Sequence, residues 1–417
     1  MPIKPTRLLP HWPLAALTAL GAALAVPAAA QTDDSTPFYA GGSLGVSHLS
    51  NVFRESTAQK GDTVVSTGVL AGVDQRLGRQ HLTFDGALQD NRYSSNRELN
   101  NQSYTLRGAL ALQTVGDLSG RLSAMSSRSL ADFNIGGVGP IFKKNTERND
   151  EYSALVRLGG VSRYSLEAGW SHRRRDFSAS EYDRFVYNQD TGSFGAYAVP
   201  GASVRLGLVG RHAKGKYPRY PIYGKLFPNL PNSPIVQTGV TTDDFTRNDF
   251  DFTTNWTTGG SSTLNTRVSR TRMRHSLTVL NDFSATTGSV GWNWRPTGKI
   301  QLGVQYARDT GQETIGRAVD VNRLYTSWQF NGSYALTGKV SLNANMARNR
   351  GRRGGDTSIQ LAESFDNDQS YGLGLRWAFS RSLSLSCQYN HASRDSSSSL
   401  YSYTTSSYGC TGQALVF

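Results

Sequence analysis

The feature that most constrains the fold is an alternation of apolar and polar side chains with a period of two. Successive side chains of a β-strand point to opposite faces, so this period predicts strands with one apolar and one polar face. No stretch of useful length shows the i, i+3, i+4, i+7 spacing of an amphipathic helix. The clearest alternating segments are 82–89, 104–112, 164–171, 300–306, 340–346 and 371–379.

The connections between the predicted strands alternate between short and long. The short ones contain glycine, or proline with glycine, as tight hairpins require. Transmembrane barrels have short periplasmic turns and longer extracellular loops. The pattern predicts an all-β fold: a single antiparallel up-and-down transmembrane β-barrel of about eighteen strands, with sixteen as the alternative count and both termini in the periplasm. Short turns are predicted at 77–79, 115–117, 159–162, 200–202, 258–261, 295–298, 336–338 and 379–381, and long loops at 50–61, 94–101, 133–149, 178–183, 214–247, 274–284, 311–321, 351–368 and 393–405.

The composition favours a membrane barrel over a soluble β-sandwich or propeller. Hydrophobic residues make up only 37% of the chain, which also holds 43 Gly, 19 Tyr and 17 Phe. Lipid-facing residues of a barrel alternate with polar lumen residues, so its average composition resembles that of a soluble protein. The Thr, Gly, Ala and Ser at many alternating positions are too small for the core of a sandwich, and no propeller repeat is visible.

The two ends of the chain carry targeting features. Lys4 and Arg7 precede an apolar core from Leu14 to Val26, followed by small residues around Ala30, the pattern of a signal peptide. We therefore predict that residues 1–30 are removed and that residues 31–417 form a barrel in the bacterial outer membrane. The last strand ends on Phe417, which we interpret as the insertion signal read by the barrel-assembly machinery.

Several stretches carry a family resemblance: 50–54, 99–107, 117–120, 128–131, 288–299 and 335–339, with the final Phe417. In these stretches the chain resembles the outer-membrane porins found with exopolysaccharide operons, the EpsL-like family. The resemblance covers essentially the whole mature chain. It implies a role in export of an exopolysaccharide, with periplasmic polysaccharide-export proteins as partners, and no catalytic residues. The segment 408–413 and the two cysteines depart from the family's usual final strands.

Basic side chains outnumber acidic ones on the predicted lumen face, in a chain of net charge +13. Rows of arginine would concentrate anions and bind the carboxylates of an anionic polymer. The alternative is that they pair with lumen acids and only fill the barrel. The arginines are Arg107, Arg121, Arg157, Arg173, Arg175, Arg205, Arg211, Arg267 and Arg376, and the acids are Asp74, Asp85, Glu167, Asp249 and Asp251.

The partners that this charge suggests follow from the predicted location. Nucleic acid is the usual partner of a strongly basic chain, but a secreted barrel argues against it. An anionic polysaccharide in the lumen and the lipid and lipopolysaccharide of the outer membrane are the partners we expect instead.

The predicted loop 214–247 is rich in proline, aromatic and basic residues. Proline opposes strand formation, and aromatic rings beside basic groups suit stacking on sugars. One hypothesis is that the loop folds over or into the lumen as a gate or binding lip; the alternative is an ordered external lid without a ligand. The gate candidates are Tyr217, Arg219, Tyr220, Tyr223, Lys225 and Phe227.

The last two predicted strands contain the cysteines. Cys387 and Cys410 lie symmetrically about Ser398 and Ser399. In a hairpin of symmetric register they would be directly opposed and within reach of a disulfide, which an oxidising periplasm allows.

We predict that the protein is not an enzyme and that it uses no cofactor or metal. Its predicted function is export of an exopolysaccharide through a hydrated basic lumen, with a general diffusion porin as the alternative. A further alternative is a lipid-modifying hydrolase that uses His391 and Ser393, which share one strand face. No acidic residue is evident to orient His391, and no metal-binding or phosphate-binding motif appears.

Overall fold

The protein was analysed as a computed structural model that describes residues 37–135, 139–159, 162–227, 229, 233–277, 282–310, 324–353 and 364–417. The predicted signal peptide, residues 1–30, lies outside these ranges.

Eighteen antiparallel strands form one closed sheet. Each strand pairs with its neighbours in sequence, and β1 pairs with both β2 and β18, which closes the barrel. The predicted fold class and strand number are confirmed. The strands are β1 Phe38–Leu49, β2 Asp62–Leu77, β3 Gln80–Tyr93, β4 Asn101–Gln113, β5 Leu118–Leu130, β6 Thr146–Leu158, β7 Tyr164–Phe177, β8 Tyr187–Gly201, β9 Val204–Lys225, β10 Ile235–Thr258, β11 Ser262–His275, β12 Phe283–Trp294, β13 Ile300–Thr310, β14 Leu324–Ala335, β15 Val340–Arg353, β16 Ser364–Ala378, β17 Leu383–Ser396 and β18 Tyr403–Val416.

Each predicted short turn joins two strands at one end of the barrel, which we call the turn end. Gly259 and Gly260 between β10 and β11 have φ angles of 57° and 73°, a region that residues with a Cβ enter only at a cost. The opposite end carries the longer connections and is called the loop end. Among the described residues of these connections, short 3₁₀ turns occur at Arg97–Leu99, Ser180–Phe185 and Ser399–Tyr401.

The predicted loop 214–247 is wrong, because most of it is strand. β9 and β10 pair as far as Lys225 and Ile235, with two register irregularities in β10. Strand β8 stops pairing with β9 at Lys216, so the rest of β9 is an edge strand. Proline lacks an N–H and is tolerated on such an edge, which explains Pro218 and Pro221 within β9.

The two faces of the wall differ as the alternation predicts. Large apolar side chains such as Phe84, Trp170 and Leu373 lie exposed on the outer face, whereas ion pairs line the inner face. A continuous apolar outer surface is typical of a barrel that faces lipid. Among the described residues, no helix is long and apolar enough to cross a membrane.

Candidate functional site

All nine arginines predicted for the lumen occupy inward-facing positions of their strands. Arg107, for example, is directly opposite Asp85 of β3, and Arg376 is directly opposite Ser386 of β17. Directly opposed residues of an antiparallel pair point to the same side of the sheet. The inward-facing positions can therefore be followed from each strand to its neighbour around the whole barrel. Whether these arginines bind a polyanion stays a prediction.

Near the turn end, Glu167 neutralises two of the arginines. Its carboxylate accepts hydrogen bonds from Arg157 and from Arg205, the latter with an Nη2–Oε1 distance of 2.7 Å. The Arg205 guanidinium also lies 3.7 Å from the centre of the Tyr197 ring. Glu167 is buried between these groups, so this cluster fixes its two arginines in place.

Midway up the wall, a second network joins β9, β10, β11 and β13. Arg211 donates to Asp251 at 2.6 Å. Asp309, fully buried, pairs with Arg247 at 3.2 Å and also with Arg267. Arg247 was not predicted because it stood at the end of the supposed loop; the alternation that continues from Asp251 back to Arg247 could have revealed it.

Two further lumen arginines pair with acids of β6. Arg175 Nε lies 2.9 Å from Glu147, and Arg173 Nη2 lies 3.5 Å from Glu151. Six of the nine predicted arginines are therefore ion-paired within the wall, which supports internal pairing for most of the set.

The remaining three arginines form no ion pair in the part of the chain that the structure describes. They are Arg107, Arg121 and Arg376. The Nε atom of Arg107 is buried without a hydrogen-bond partner, and Arg121 is exposed. Within the predicted set, these three are the cations that remain available to a passing anion; Arg76 of β2, directly opposite His81, is a further exposed inward-facing arginine without an ion pair in the described ranges.

A packed apolar cluster lies at the loop end. It is centred on Phe53 and Phe133, whose ring centres are 5.1 Å apart, and on the fully buried Tyr182. We call it the loop-end cluster; it also contains Val52, Leu99, Ala131, Ile135, Ile141, Phe177, Ala179, Phe185 and Val186. The sequence prediction missed this cluster. The only signal was a few apolar residues in otherwise polar connections.

Two of the segments that form the cluster contact inward-facing residues of β17 and β18, the strands that close the barrel beside β1. The guanidinium of Arg394, an inward-facing residue of β17, donates to the Asn134 carbonyl at 3.2 Å. Arg54 donates to the hydroxyl of Tyr403, inward-facing on β18, at 3.1 Å, and pairs with Asp132 at 2.8 Å. Residues 50–61 and 131–135 therefore lie over this part of the opening.

An ion pair also links two of the loop-end segments on their exposed side. Lys143 Nζ lies 2.8 Å from Glu181. The hydrogen bond from Lys143 lowers the pKa of the Glu181 carboxyl, so this carboxyl stays ionised to a lower pH than a glutamate without such a partner.

The predicted gate residues do not form one group. Tyr217 is buried against Phe245 and Met273 on the inner wall, and Arg219 pairs with Asp176 and Asp183. The other candidates lie further out: Tyr220 is half-buried, Lys225 and Phe227 are exposed, and the Tyr223 side chain lies outside what the structure describes. A gating role stays a prediction.

The closing hairpin has the symmetric register expected from the sequence, with Cys387 directly opposite Cys410. The two sulfur atoms are bonded to each other, on the outer face. Phe417 follows the last strand residue, Val416, and its role as an insertion signal stays a prediction.

His391 and Ser393 share the outer face of β17, but His391 is engaged elsewhere. Its Nδ1 lies 2.9 Å from the Ser406 hydroxyl of β18, and its ring stacks on Tyr371. Among the described residues, no group of three or more His, Cys, Asp or Glu side chains could hold a metal ion.

No protein-family model matches the chain, and no curated protein matches it. Membership in the exopolysaccharide-operon family is therefore not confirmed.

Solved structures of outer-membrane porins match its fold. The chain is similar to OpdK from Pseudomonas aeruginosa, with 11% identity, a TM-score of 0.44 and coverage of 91% of this chain and 99% of that chain. It is also similar to OccK2 (OpdF) from Pseudomonas aeruginosa, solved in complex with glucuronate, with 12% identity, a TM-score of 0.47 and coverage of 91% and 98%. A BenF-like porin from Pseudomonas fluorescens Pf-5 matches with 9% identity, a TM-score of 0.44 and coverage of 91% and 99%. At these values the likeness is one of barrel architecture, and the functional argument rests on this chain's own residues.

Proposed function

We propose that the protein is an outer-membrane, porin-like channel for small hydrophilic solutes, with a preference for anions. The observation that carries the proposal is the set of three unpaired lumen arginines, Arg107, Arg121 and Arg376, inside a closed barrel with an apolar outer wall. The outer wall would contact lipid, and the loop end would face the cell exterior.

In this channel, polar side chains replace part of a solute's hydration, and the unpaired arginines set the sign of the charge that enters easily. Binding at each arginine must be weak for a solute to leave again. The six ion-paired arginines contribute little to selectivity, because their charge is balanced by neighbouring carboxylates. The loop-end cluster lies at the opening and would limit the size of the solute.

Export of an anionic exopolysaccharide is kept as a second candidate. The same three arginines favour it, because an anionic polymer would meet them along the lumen. The loop-end cluster counts against it, since a polymer chain would have to displace packed side chains such as Phe53 and Phe133. A small solute passes without that cost, so diffusion is the better-supported function.

Planar-bilayer recordings test the proposal. The purified protein should form channels whose reversal potential in a KCl gradient indicates anion preference. The triple variant R107Q, R121Q and R376Q should lose most of this preference with little change in conductance. The matched control, R92Q, R128Q and R174Q, removes three outward-facing arginines and should leave selectivity unchanged. Absence of channels, or unchanged selectivity in the lumen variant, would overturn the proposal.

A separate pair of measurements addresses export. Block of the channel by an anionic oligosaccharide, together with loss of secreted polysaccharide in a deletion strain, would favour a polymer conduit. Free diffusion of small solutes with normal polysaccharide secretion would favour the porin.

A further inference from the structure

Six arginines point outward from the loop-end halves of β11, β13 and β15. All six are exposed, and none forms an ion pair within the described ranges. Arg348 donates a hydrogen bond to the side-chain oxygen of Asn367 of β16, at 3.2 Å. The six residues are Arg270, Arg272, Arg274, Arg308, Arg348 and Arg350, and we call them the outer arginine patch.

The patch is unbalanced in charge. No described residue at an outward position of strands β11 to β15 is acidic. The nearest described acids are Asp282, which precedes β12 and accepts a hydrogen bond from the His275 N–H, and, on the flanking strands, Asp244 of β10 and Asp395 of β17. Strands β3 to β8 differ, because their outward arginines are matched by as many aspartates. Those residues are Arg92, Arg128, Arg148 and Arg174 with Asp90, Asp150, Asp176 and Asp190, and three of the arginines are ion-paired within their own strand.

The register brings arginines of different strands together. Arg308 is directly opposite Thr326 of β14, which is directly opposite Arg350 of β15. Neighbouring strands lie about 4.8 Å apart, so the backbones of Arg308 and Arg350 are roughly 10 Å apart in one row. Only a threonine separates them, which leaves room for one anionic group to contact both guanidinium groups.

Below the patch, the outer wall is apolar and concave. The concavity has a volume of about 750 Å³ and is lined mainly by apolar residues of β13 to β18, together with Ser333, Asn343 and Gln388. One row across it consists of Leu302, Gly332, Ala344 and Leu373. The two small residues set the surface back between larger neighbours, and this forms the hollow.

The distance between the arginine patch and the apolar concavity along the membrane normal matches the length of a lipid acyl chain region. Leu302 and Arg308 are six residues apart on β13, which is about 20 Å along a strand. With a tilt of about 40°, the separation along the membrane normal is roughly 15 Å, half of a hydrocarbon core of about 30 Å. Tyr306 and Trp328, with ring centres 4.7 Å apart, lie between the two levels, where interfacial aromatic residues are expected.

We propose that the outer arginine patch binds the phosphate groups of a phosphorylated, multiply acylated glycolipid of the lipid A type, whose acyl chains cover the concavity. Guanidinium groups bind phosphate in a bidentate manner, and an unbalanced positive patch directly above an apolar hollow matches an anionic lipid rather than a soluble polyanion. The inference rests on the outer-membrane location in the proposed function.

The test is a titration of the purified full chain in non-ionic detergent with bis-phosphorylated lipid A, followed by native mass spectrometry. The variant R308Q, R348Q and R350Q should bind at least tenfold more weakly. The control R92Q, R128Q and R174Q removes the same charge from the balanced strands and should bind like the unmodified protein. Dephosphorylated lipid A should bind the unmodified protein as weakly as lipid A binds the patch variant.

Three results would overturn the proposal: equal binding by the patch variant, an equal loss in the control variant, or equally tight binding of phosphatidylglycerol to the unmodified protein. Conductance of the same preparations separates this proposal from the channel function. Loss of lipid A binding with normal conductance supports the lipid site alone. Lipid A binding by a protein that forms no channel would refute the channel and leave the site.

Discussion

Strand β11 carries arginines on both faces, and they have opposite surroundings. Arg267 points inward, where it pairs with the buried Asp309. Arg270, three residues later, points outward, is exposed and has no ion pair in the described chain. The residue type and the strand are the same, so the difference comes from the parity of the position and from the strands that face each side.

The comparison changes how the net charge of +13 is interpreted. From the sequence, the positive charge was assigned mainly to the lumen. In the structure, acids neutralise six of the nine predicted lumen arginines, while an outer patch of six remains unbalanced. Charge on the inner wall therefore mainly holds the barrel in one arrangement, and charge on the outer wall is available to the surroundings.

The largest loss of stability is expected when the ion pairs of Asp309 on the inner wall are broken. Replacing Asp309 with asparagine leaves Arg247 and Arg267 without this carboxylate in a buried site. Breaking a buried pair by removing one partner costs about 3–5 kcal/mol. We expect the urea midpoint of the detergent-solubilised barrel to fall, as measured by the gel shift between folded and unfolded forms.

The matched control for Asp309 is D395N on the outer face of β17. Asp395 is exposed and has no ion pair in the structure's described part, so its loss should change the free energy of unfolding by less than about 0.5 kcal/mol. Equal effects at the two positions would show that the inner network does not stabilise the barrel.

A second test compares phenylalanines inside and outside. Phe53 is buried in the loop-end cluster, whereas Phe250 is exposed on the outer face. F53A should remove about 3 kcal/mol of packing from the cluster and increase open-channel noise and conductance in bilayers. F250A should leave the open-channel noise and the conductance unchanged. Quiet, unaltered channels in F53A would show that the cluster does not restrict the opening.

The disulfide is the third test and concerns the outer wall. Linking Cys387 to Cys410 closes a loop of about 24 residues, and a loop of this size is worth about 3 kcal/mol in the chain-entropy estimate. The variant C387S and C410S should unfold at lower urea concentration, and reductant should produce the same shift in the unmodified protein. An unchanged midpoint in the variant would mean that hairpin pairing alone holds the closing strands.

The smallest effect is expected for R270Q. Arg270 has no partner to lose, so the free energy of unfolding should change by less than about 0.5 kcal/mol. The urea unfolding of R270Q should be compared with that of R267Q, which removes a partner of Asp309 on the same strand. R267Q should be clearly less stable than R270Q. If R270Q were as destabilising as R267Q, the difference between the two faces of β11 would be refuted.

The sequence by itself determined the features that depend on local periodicity. Alternation with a period of two assigned the strand faces, and the spacing of glycine-rich turns set the number of strands. The opposed cysteines followed because a hairpin's register depends only on distance from its turn. The prediction of a loop at 214–247 was wrong for a local reason as well. Proline was taken to exclude a strand, whereas β9 continues there as an edge strand in which proline is tolerated.

Tertiary structure decided which charges are neutralised and which side chains pack together at the loop end. Asp309 meets Arg267 only because β11, β12 and β13 lie side by side in one register, and the partners are 42 residues apart. The loop-end cluster brings Phe53 together with Phe133 and Tyr182, from three different connections. Alternation within a strand assigns each side chain to a face, but it contains no information on which distant side chains share that face at the same height.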